Sequence, residues 1–283
     1  MPEDAKNVIG VSEASYLRPL WHGLRNAEGQ FDLRVDIPAQ LPLNLQQRTG
    51  NLRCAFLSPI DYARHGGDYC IVPGVAVSSL DRSNTIQLFI NSDVQDIEKI
   101  AVDIRVTSEI VLAKIILAEK YPNRETSKKT PQFLPMLPNR VEMLRKADAA
   151  LIVNLHPVEK VEEEPFALDL VEEWNDLTGL PYVHGCWVGH DEEDIGGVVR
   201  ELLRSKEQGM THLGQIADII AAEKNLSRQF ASQYLSMFAY ELGELEQESL
   251  TEFMKYAYFH GILPDVPDLS FFDVGPLPSP SIN

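Results

Sequence analysis

Cysteine is scarce in this chain. Cys54, Cys70 and Cys186 are odd in number, scattered and without CxxC spacing, which excludes a disulfide framework and a thiolate metal site and leaves inert, buried thiols as the expectation. Basic charge is also short, with 25 Lys and Arg against 42 Asp and Glu for a net charge of -17. Phosphate backbones are bound through clustered Lys and Arg, so no nucleic-acid partner is expected. No apolar run approaches the roughly 20 residues that span a bilayer. The opening "MPEDAKN" has no basic segment leading into an apolar one, so a cytoplasmic protein without membrane insertion is expected. Nucleotide motifs are missing too: there is no Gly-x-Gly-x-x-Gly or Walker sequence, and "DEEDIGG" at 191–197 lacks a flanking strand and a lysine. His156 has no second histidine at ligand spacing, so neither a metal nor an organic cofactor is called for.

What is present is a chain of 283 residues, 44% hydrophobic, long enough for a sizeable core and near the length at which one core divides into two. "NVIGVSE" and "FDLRVDI" read as strands, and "LRCAFLSPIDYARHG" passes from strand to helix through Ser58 and Pro59, a usual helix entry because the first turn needs no amide donor. "YCIVPGVAVSS" and "NTIQLFI" add strands punctuated by Pro73 and Gly74. Beyond Asp96 come the strand "IEKIAVDI", the helix "TSEIVLAKIILAEKY" with Thr107 or Ser108 as its cap, the strand "PQFLPML", and a helix and strand in "NRVEMLRKADAALIVN". The acidic run "EKVEEEP" at 159–165 reads as a solvated loop because consecutive carboxylates do not converge. Two long helical stretches then fill most of the chain after "YVHGCWVG". The strand-rich start has few helices of its own, so this tail is expected to pack back on it. The result is an α/β protein of two lobes: a discontinuous domain at 1–94 plus 187–283, an inserted domain at 95–186, two crossovers and a central cleft that can close on a small ligand.

Candidate residues follow from strand ends, where open α/β folds hold ligands. Ser12, Glu13, Ser15, Tyr16 and Arg18 lie in the first strand-to-helix loop. Tyr16 either faces the cleft or packs between loop and helix; Glu13 is an acid or base if it reaches a transferred proton and a surface residue otherwise. Arg18, Arg82 and Arg105 are the guanidinium candidates for gripping a carboxylate, against solvent-facing roles for each. Ser79, in the polar interval that includes Ser83, Asn84 and Thr85, orients a carboxylate or satisfies its own turn. Thr107 and Ser108 cap the strongest helix, and exposed first-turn amides there also make an anion site. Asn154 follows the strand "AALIV" and reads as lining the cleft or as plain loop. His184, in "YVHGCW", is a hinge imidazole able to move a proton near neutral pH, or an ordinary hydrogen-bonded histidine. Gly179 reads as a left-handed helix terminus, and Trp174 and Trp187 as core.

Several of these segments, "IGVSEASYLRPLWHGL", "LRCAFLSPIDYAR", "YCIVPGVAVSS", "TIQLFI", "DIRVTS" and above all "DLVEEWNDLTGLPYVHGCW", together resemble the menaquinone-biosynthesis family that contains chorismate dehydratase. The spacing of Trp174, Thr178, Gly179, Pro181 and Trp187 is the most specific part, and the resemblance covers nearly the whole chain in order. It implies a fold like that of type 2 periplasmic binding proteins, and a cytoplasmic lyase that removes water from chorismate to give 3-[(1-carboxyvinyl)oxy]benzoate in the futalosine route to menaquinone. It implies no cofactor. Tyr16 stands where the family's opening loop usually carries an amide side chain, and a phenol cannot offer an amide's paired groups. On this reading Tyr16, Glu13 and His184 are the catalytic candidates. Ser12, Ser15, Arg18, Ser79, Arg82, Arg105, Thr107, Ser108 and Asn154 are the candidates for binding a small carboxylated substrate. The alternatives are a binding protein that keeps the scaffold without the chemistry, and a sister enzyme on another precursor. The sequence leaves monomer and homodimer equally open.

Overall fold

A computed structural model of the chain describes residues 6–24, 31–91, 96–121, 131–158, 167–193 and 195–273. The acidic run 159–165 lies outside the described residues, apart from the question of its role.

The first half opens with β1 (Asn7–Val11), α1 (Arg18–Trp21), β2 (Phe31–Val35), α2 (Leu41–Gln46), β3 (Leu52–Leu57), α3 (Pro59–Ala63) and β4 (Tyr69–Ser79). The chain then crosses to β5 (Ile86–Ile90), β6 (Lys99–Asp103), α4 (Ser108–Lys120), β7 (Gln132–Met136), α5 (Arg140–Lys146), β8 (Ala149–Val153), β9 (Ala167–Asp169) and α6 (Leu170–Thr178). It returns through β10 (Tyr182–His190) and finishes in α7 (Gly196–Thr211), α8 (Leu213–Lys224), α9 (Arg228–Leu235) and α10 (Glu244–Phe259).

Two five-stranded sheets result, in the orders β2-β1-β3-β10-β4 and β7-β6-β8-β5-β9. They follow one plan. In each, a parallel trio is joined by an antiparallel fourth strand, β10 in the first sheet and β5 in the second. Each of those fourth strands arrives directly from the other lobe, so both crossovers lead into a strand hydrogen-bonded on both sides. Main-chain ladders fix the register there, Tyr182 opposite Ser79 and Ile86 opposite Val153.

This places the lobe boundaries differently from the sequence expectation. "NTIQLFI" forms β5 of the second sheet rather than closing the first domain at 94, and Tyr182–Cys186 belongs to the first sheet rather than ending the insert at 186. The chain changes sheets at 80–85 and 179–181. The reason is physical: an apolar strand pattern identifies a strand but does not say which ladder completes it, because sheet membership is a long-range pairing. "YCIVPGVAVSS" is one strand, with Gly74 at φ 73° where its register against β10 is irregular.

The helical tail packs on the first lobe as expected, α7 against α1 and β4, and α10 against α3 and β10. The α1–α7 approach is close enough that a Cβ on Gly209 would lie 1.8 Å from the Pro19 carbonyl oxygen. Gly179 takes φ 72° and ends α6 in the left-handed turn that only glycine adopts without strain. Thr178 braces that turn, donating to the Trp174 carbonyl at 2.8 Å and accepting from the Leu180 amide at 3.1 Å. Trp174 and Trp187 are fully buried. Trp174 donates to Ser249 on α10 at 3.2 Å, tying the second lobe's last helix to the tail. Cys54 and Cys186 are buried thiols, and burial pushes Cys186 up to about 12; Cys70, expected to be buried, is partly exposed on β4.

Candidate functional site

The cleft runs between the strand ends of the two sheets, and its two walls differ in chemistry. The first lobe contributes an aromatic wall. Tyr16, in a short 3-10 turn at Ser15–Leu17, stacks on Phe238 with centroids 5.0 Å apart and lies 5.3 Å from the His184 ring. Tyr182 meets His184 edge-on at 5.1 Å. Phe238 reaches this wall because the segment between α9 and α10 is pinned to β4 by paired backbone bonds between Ser78 and Ala239, at 3.0 and 2.9 Å. Glu246 secures the same corner, accepting from the Gly243 amide at 3.0 Å and from the Ser78 hydroxyl at 3.1 Å.

The second lobe contributes the start of α4. Its buried face, Val111, Leu112, Ala113, Ile115 and Ile116, anchors the helix in the lobe and aims the first turn at the aromatic wall. Neither predicted cap closes that turn with its side chain. Thr107 instead donates across the cleft to Asp61 at 2.8 Å, where Ser58 donates to the same carboxylate oxygen at 2.5 Å. Ser108 is fully buried, with its hydroxyl beside the buried Tyr182 phenol. Glu109 follows, partly accessible, with Tyr16, Tyr182, Asp61 and Asp103 as its ionisable neighbours.

The lobes touch. The Ser15 amide donates to the Leu155 carbonyl at 2.7 Å, the Ala39 amide to Arg105 at 2.9 Å, and the Ser15 hydroxyl bonds His156 Nδ1 at 3.0 Å. A void of about 140 Å³ lies beside the site, between Pro59, Tyr182, Val183, Ser249, Leu250 and Phe253. It is smaller than the roughly 300 Å³ at which ligand pockets begin.

The candidates therefore divide. Tyr16, Ser79, Thr107, Ser108 and His184 converge on the cleft, with Ser12 buried behind them and holding the Ala14 amide at 3.4 Å. Ser79 bonds His184 Nε2 at 3.1 Å. Burial lowers the His184 imidazole to about 3, so it stays neutral at physiological pH. The near-neutral proton carrier expected of it is instead a buried partner for Ser79, because nothing charged compensates the imidazolium. Tyr16 is pushed well above the ordinary phenol range by burial and by Glu109, and it keeps its proton.

The arginines do not converge. Arg18 makes a two-pronged pair with Glu223 and lies over the Trp21 ring at 5.5 Å. Arg105 forks onto buried Asp103 at 2.7 to 3.2 Å, which also gives Asp103 its structural role. Arg82 is exposed. Glu13 is half exposed, its carboxylate 4.0 Å from His156. Asn154 braces the first crossover, its amide donating to Thr85 at 2.7 Å and its side chain to Asn84 at 2.8 Å. Three contributors went unread in the sequence: Asp61, Glu109 and Phe238. An acid in the first helical turn has the standard reading of favouring the helix dipole, and Phe238 sits in a tail whose return to the cleft depends on the Ser78 pairing. Among the described residues, no three His, Cys, Asp or Glu side chains converge as a metal site, and no helix is long and apolar enough to cross a membrane.

Comparison with known proteins places this architecture. The protein is similar in structure to protein AF1704 from Archaeoglobus fulgidus, with a TM-score of 0.67 and 16% identity over 92% of this chain and 100% of that one. It is also similar to the periplasmic aliphatic sulphonate binding protein SsuA from Escherichia coli, with a TM-score of 0.63 and 15% identity over 99% and 96%. The fold is the two-lobed one of periplasmic binding proteins. In sequence it is 25% identical over 262 residues to a chorismate dehydratase from Thermus thermophilus, covering 87% of this chain and 93% of that protein. A family described as menaquinone biosynthesis matches residues 8–259, and with that match spanning both lobes and the returning tail, the chain belongs to the menaquinone biosynthesis family.

Proposed function

We propose that the protein is a cytoplasmic hydro-lyase that dehydrates chorismate to 3-[(1-carboxyvinyl)oxy]benzoate. The observation that carries this reading is the family match over residues 8–259, which includes every element that forms the cleft. The reaction needs little from the protein beyond position and proton transfer. Loss of the ring hydroxyl and of the proton on the neighbouring ether-bearing carbon leaves an aromatic ring, so the driving force resides in the substrate. The site would hold the ring against the Tyr16 and Phe238 face. The hydroxyls of Ser79 and Ser108, at the end of β4 and the start of α4, would receive a carboxylate. Hydrogen-bond donors fixed in advance stabilise charge as it develops, without reorganisation cost. The crossovers at 80–85 and 179–181 would serve as the hinge for opening and closing.

A second reading, a binding protein for a carboxylated or aromatic metabolite, is favoured by one observation. Arg18 and Arg105 are already paired with Glu223 and Asp103, so neither is free to neutralise a dicarboxylate. Incubating the purified protein with chorismate, with mass detection of product and calorimetry in parallel, separates the two. Product in proportion to protein supports dehydration; heat of binding with intact chorismate supports the second reading.

A further inference from the structure

Ser79 and His184 meet at an irregularity in the first sheet. In the β10–β4 ladder Val183 stands opposite Ser78 and Gly185 opposite Val77. His184 is therefore an extra residue, the arrangement by which a bulge re-aims a side chain. The backbone is tightly held there: a Cβ on Gly185 would lie 2.5 Å from the Leu57 carbonyl oxygen on β3. The imidazole is enclosed as well, its centroid 5.3 Å from Tyr16, 5.1 Å from Tyr182 and 5.6 Å from Phe238. Its Nε2 lies 3.1 Å from Ser79 Oγ, and among the described residues it is the one hydrogen-bond partner of that hydroxyl.

The direction of this bond decides what Ser79 can offer a ligand. A hydroxyl has one proton and two lone pairs, and a neutral imidazole has one N–H and one acceptor nitrogen. If Ser79 gave its proton to Nε2, only lone pairs would face the cleft, and lone pairs repel a carboxylate. If Nε2–H donates to Ser79, the hydroxyl proton stays free. We propose that His184 is a positioning residue that carries its proton on Nε2 and donates it to Ser79 Oγ, turning the Ser79 hydroxyl proton toward a carboxylate of the ligand. This inference rests on the reading that Ser79 receives a carboxylate.

The surroundings suit the ring to this task. Its contacts are a hydroxyl and three aromatic side chains, so no carboxylate draws a second proton onto it. Burial keeps it neutral, and Nε2 is the nitrogen that holds the proton in the free neutral side chain. A ring that does not titrate at physiological pH holds the direction of the bond constant there, and a donor fixed in advance binds an anion without reorganisation cost.

The test pairs NMR with binding. Long-range nitrogen–proton spectra of the wild-type imidazoles, with His184 assigned by the signals missing from His184→Gln, read the tautomer; a protonated Nε2 and a bare Nδ1 are expected at neutral pH. Binding uses 3-[(1-carboxyvinyl)oxy]benzoate, the product of the proposed reaction, which keeps both carboxylates and has no hydroxyl left to lose. Ser79→Ala should weaken it about 10- to 100-fold, and His184→Phe, which keeps a ring in the aromatic enclosure without a nitrogen, about 3- to 10-fold. In the double variant His184→Phe should add nothing to Ser79→Ala, whereas a purely structural role would add its full effect. His184→Gln, whose amide still donates, should bind within about threefold of wild type. Thermal unfolding of each variant is the folding control. A bare Nε2 with a protonated Nδ1, or full additivity in the double variant, overturns the role of His184 and leaves Ser79 as a carboxylate contact. Ser79→Ala binding as tightly as wild type, or a folded wild type that does not bind the product, overturns the carboxylate reading and this role with it.

Discussion

At the residue scale, the site turns on what burial does to each ionisable group. His184 illustrates the sign. Its imidazole is lowered from the ordinary 6.5 to about 3 in the folded protein, so between those values the unfolded chain binds a proton that the folded one refuses. Stability is therefore complete above about 6.5 and declines as pH falls, by roughly 1 kcal/mol per pH unit within that window. A His184→Gln variant, which can still bond Ser79, should show a flatter loss of stability between pH 6.5 and 4 in urea unfolding series. An unchanged slope would mean that other groups set the acid response. Residue identity alone made His184 look like a neutral-pH proton carrier. Its enclosure by Tyr16, Tyr182 and Phe238 decides otherwise, and Phe238 is 54 positions away in a segment read only as helical tail. Serine and threonine positions at strand ends were legible because the fold class puts ligands there. Glu109 was not, since its distinction is the company of Asp61 and two tyrosines brought together by tertiary contact.

Elements were largely readable from pattern. The helix beginning at Ser108, the strand "AALIV" and the glycine terminus of α6 appear where apolar spacing and turn chemistry put them. Pairing between elements was not readable, and it displaced both lobe boundaries. Close approach is the other property hidden from pattern. Gly209 looks like an ordinary helical glycine, yet α7 lies so near Pro19 that any side chain there meets backbone. Backbone cannot swing aside as a side chain can. Gly209→Ala should therefore cost about 1–3 kcal/mol by forcing α7 away from α1, read as a lower urea midpoint with an unchanged m-value. A neutral or stabilising result, as helix propensity alone would give, would show that α7 does not hold α1 this tightly.

For the whole molecule, the shared strand plan of the two sheets explains why a closing cleft comes with this topology: each crossover delivers the antiparallel fourth strand of the sheet it enters, and both connections pass beside the site. Net charge adds a consequence. At -17 the protein repels an anionic substrate over distances that salt screens, with a Debye length of about 30 Å at 0.01 M and about 8 Å at 0.15 M. The apparent kcat/KM for chorismate should therefore rise severalfold between those ionic strengths, whereas a fall would indicate an attractive local field and a cation in the cleft beyond the paired Arg18 and Arg105. The central claim, that this cleft performs dehydration, is tested most directly by the initial rate of aromatic enolpyruvyl product formation from chorismate, measured against protein concentration with substrate and product both quantified. The account predicts a rate proportional to protein with one product formed for each chorismate lost; chorismate left intact by folded protein at every concentration would contradict it.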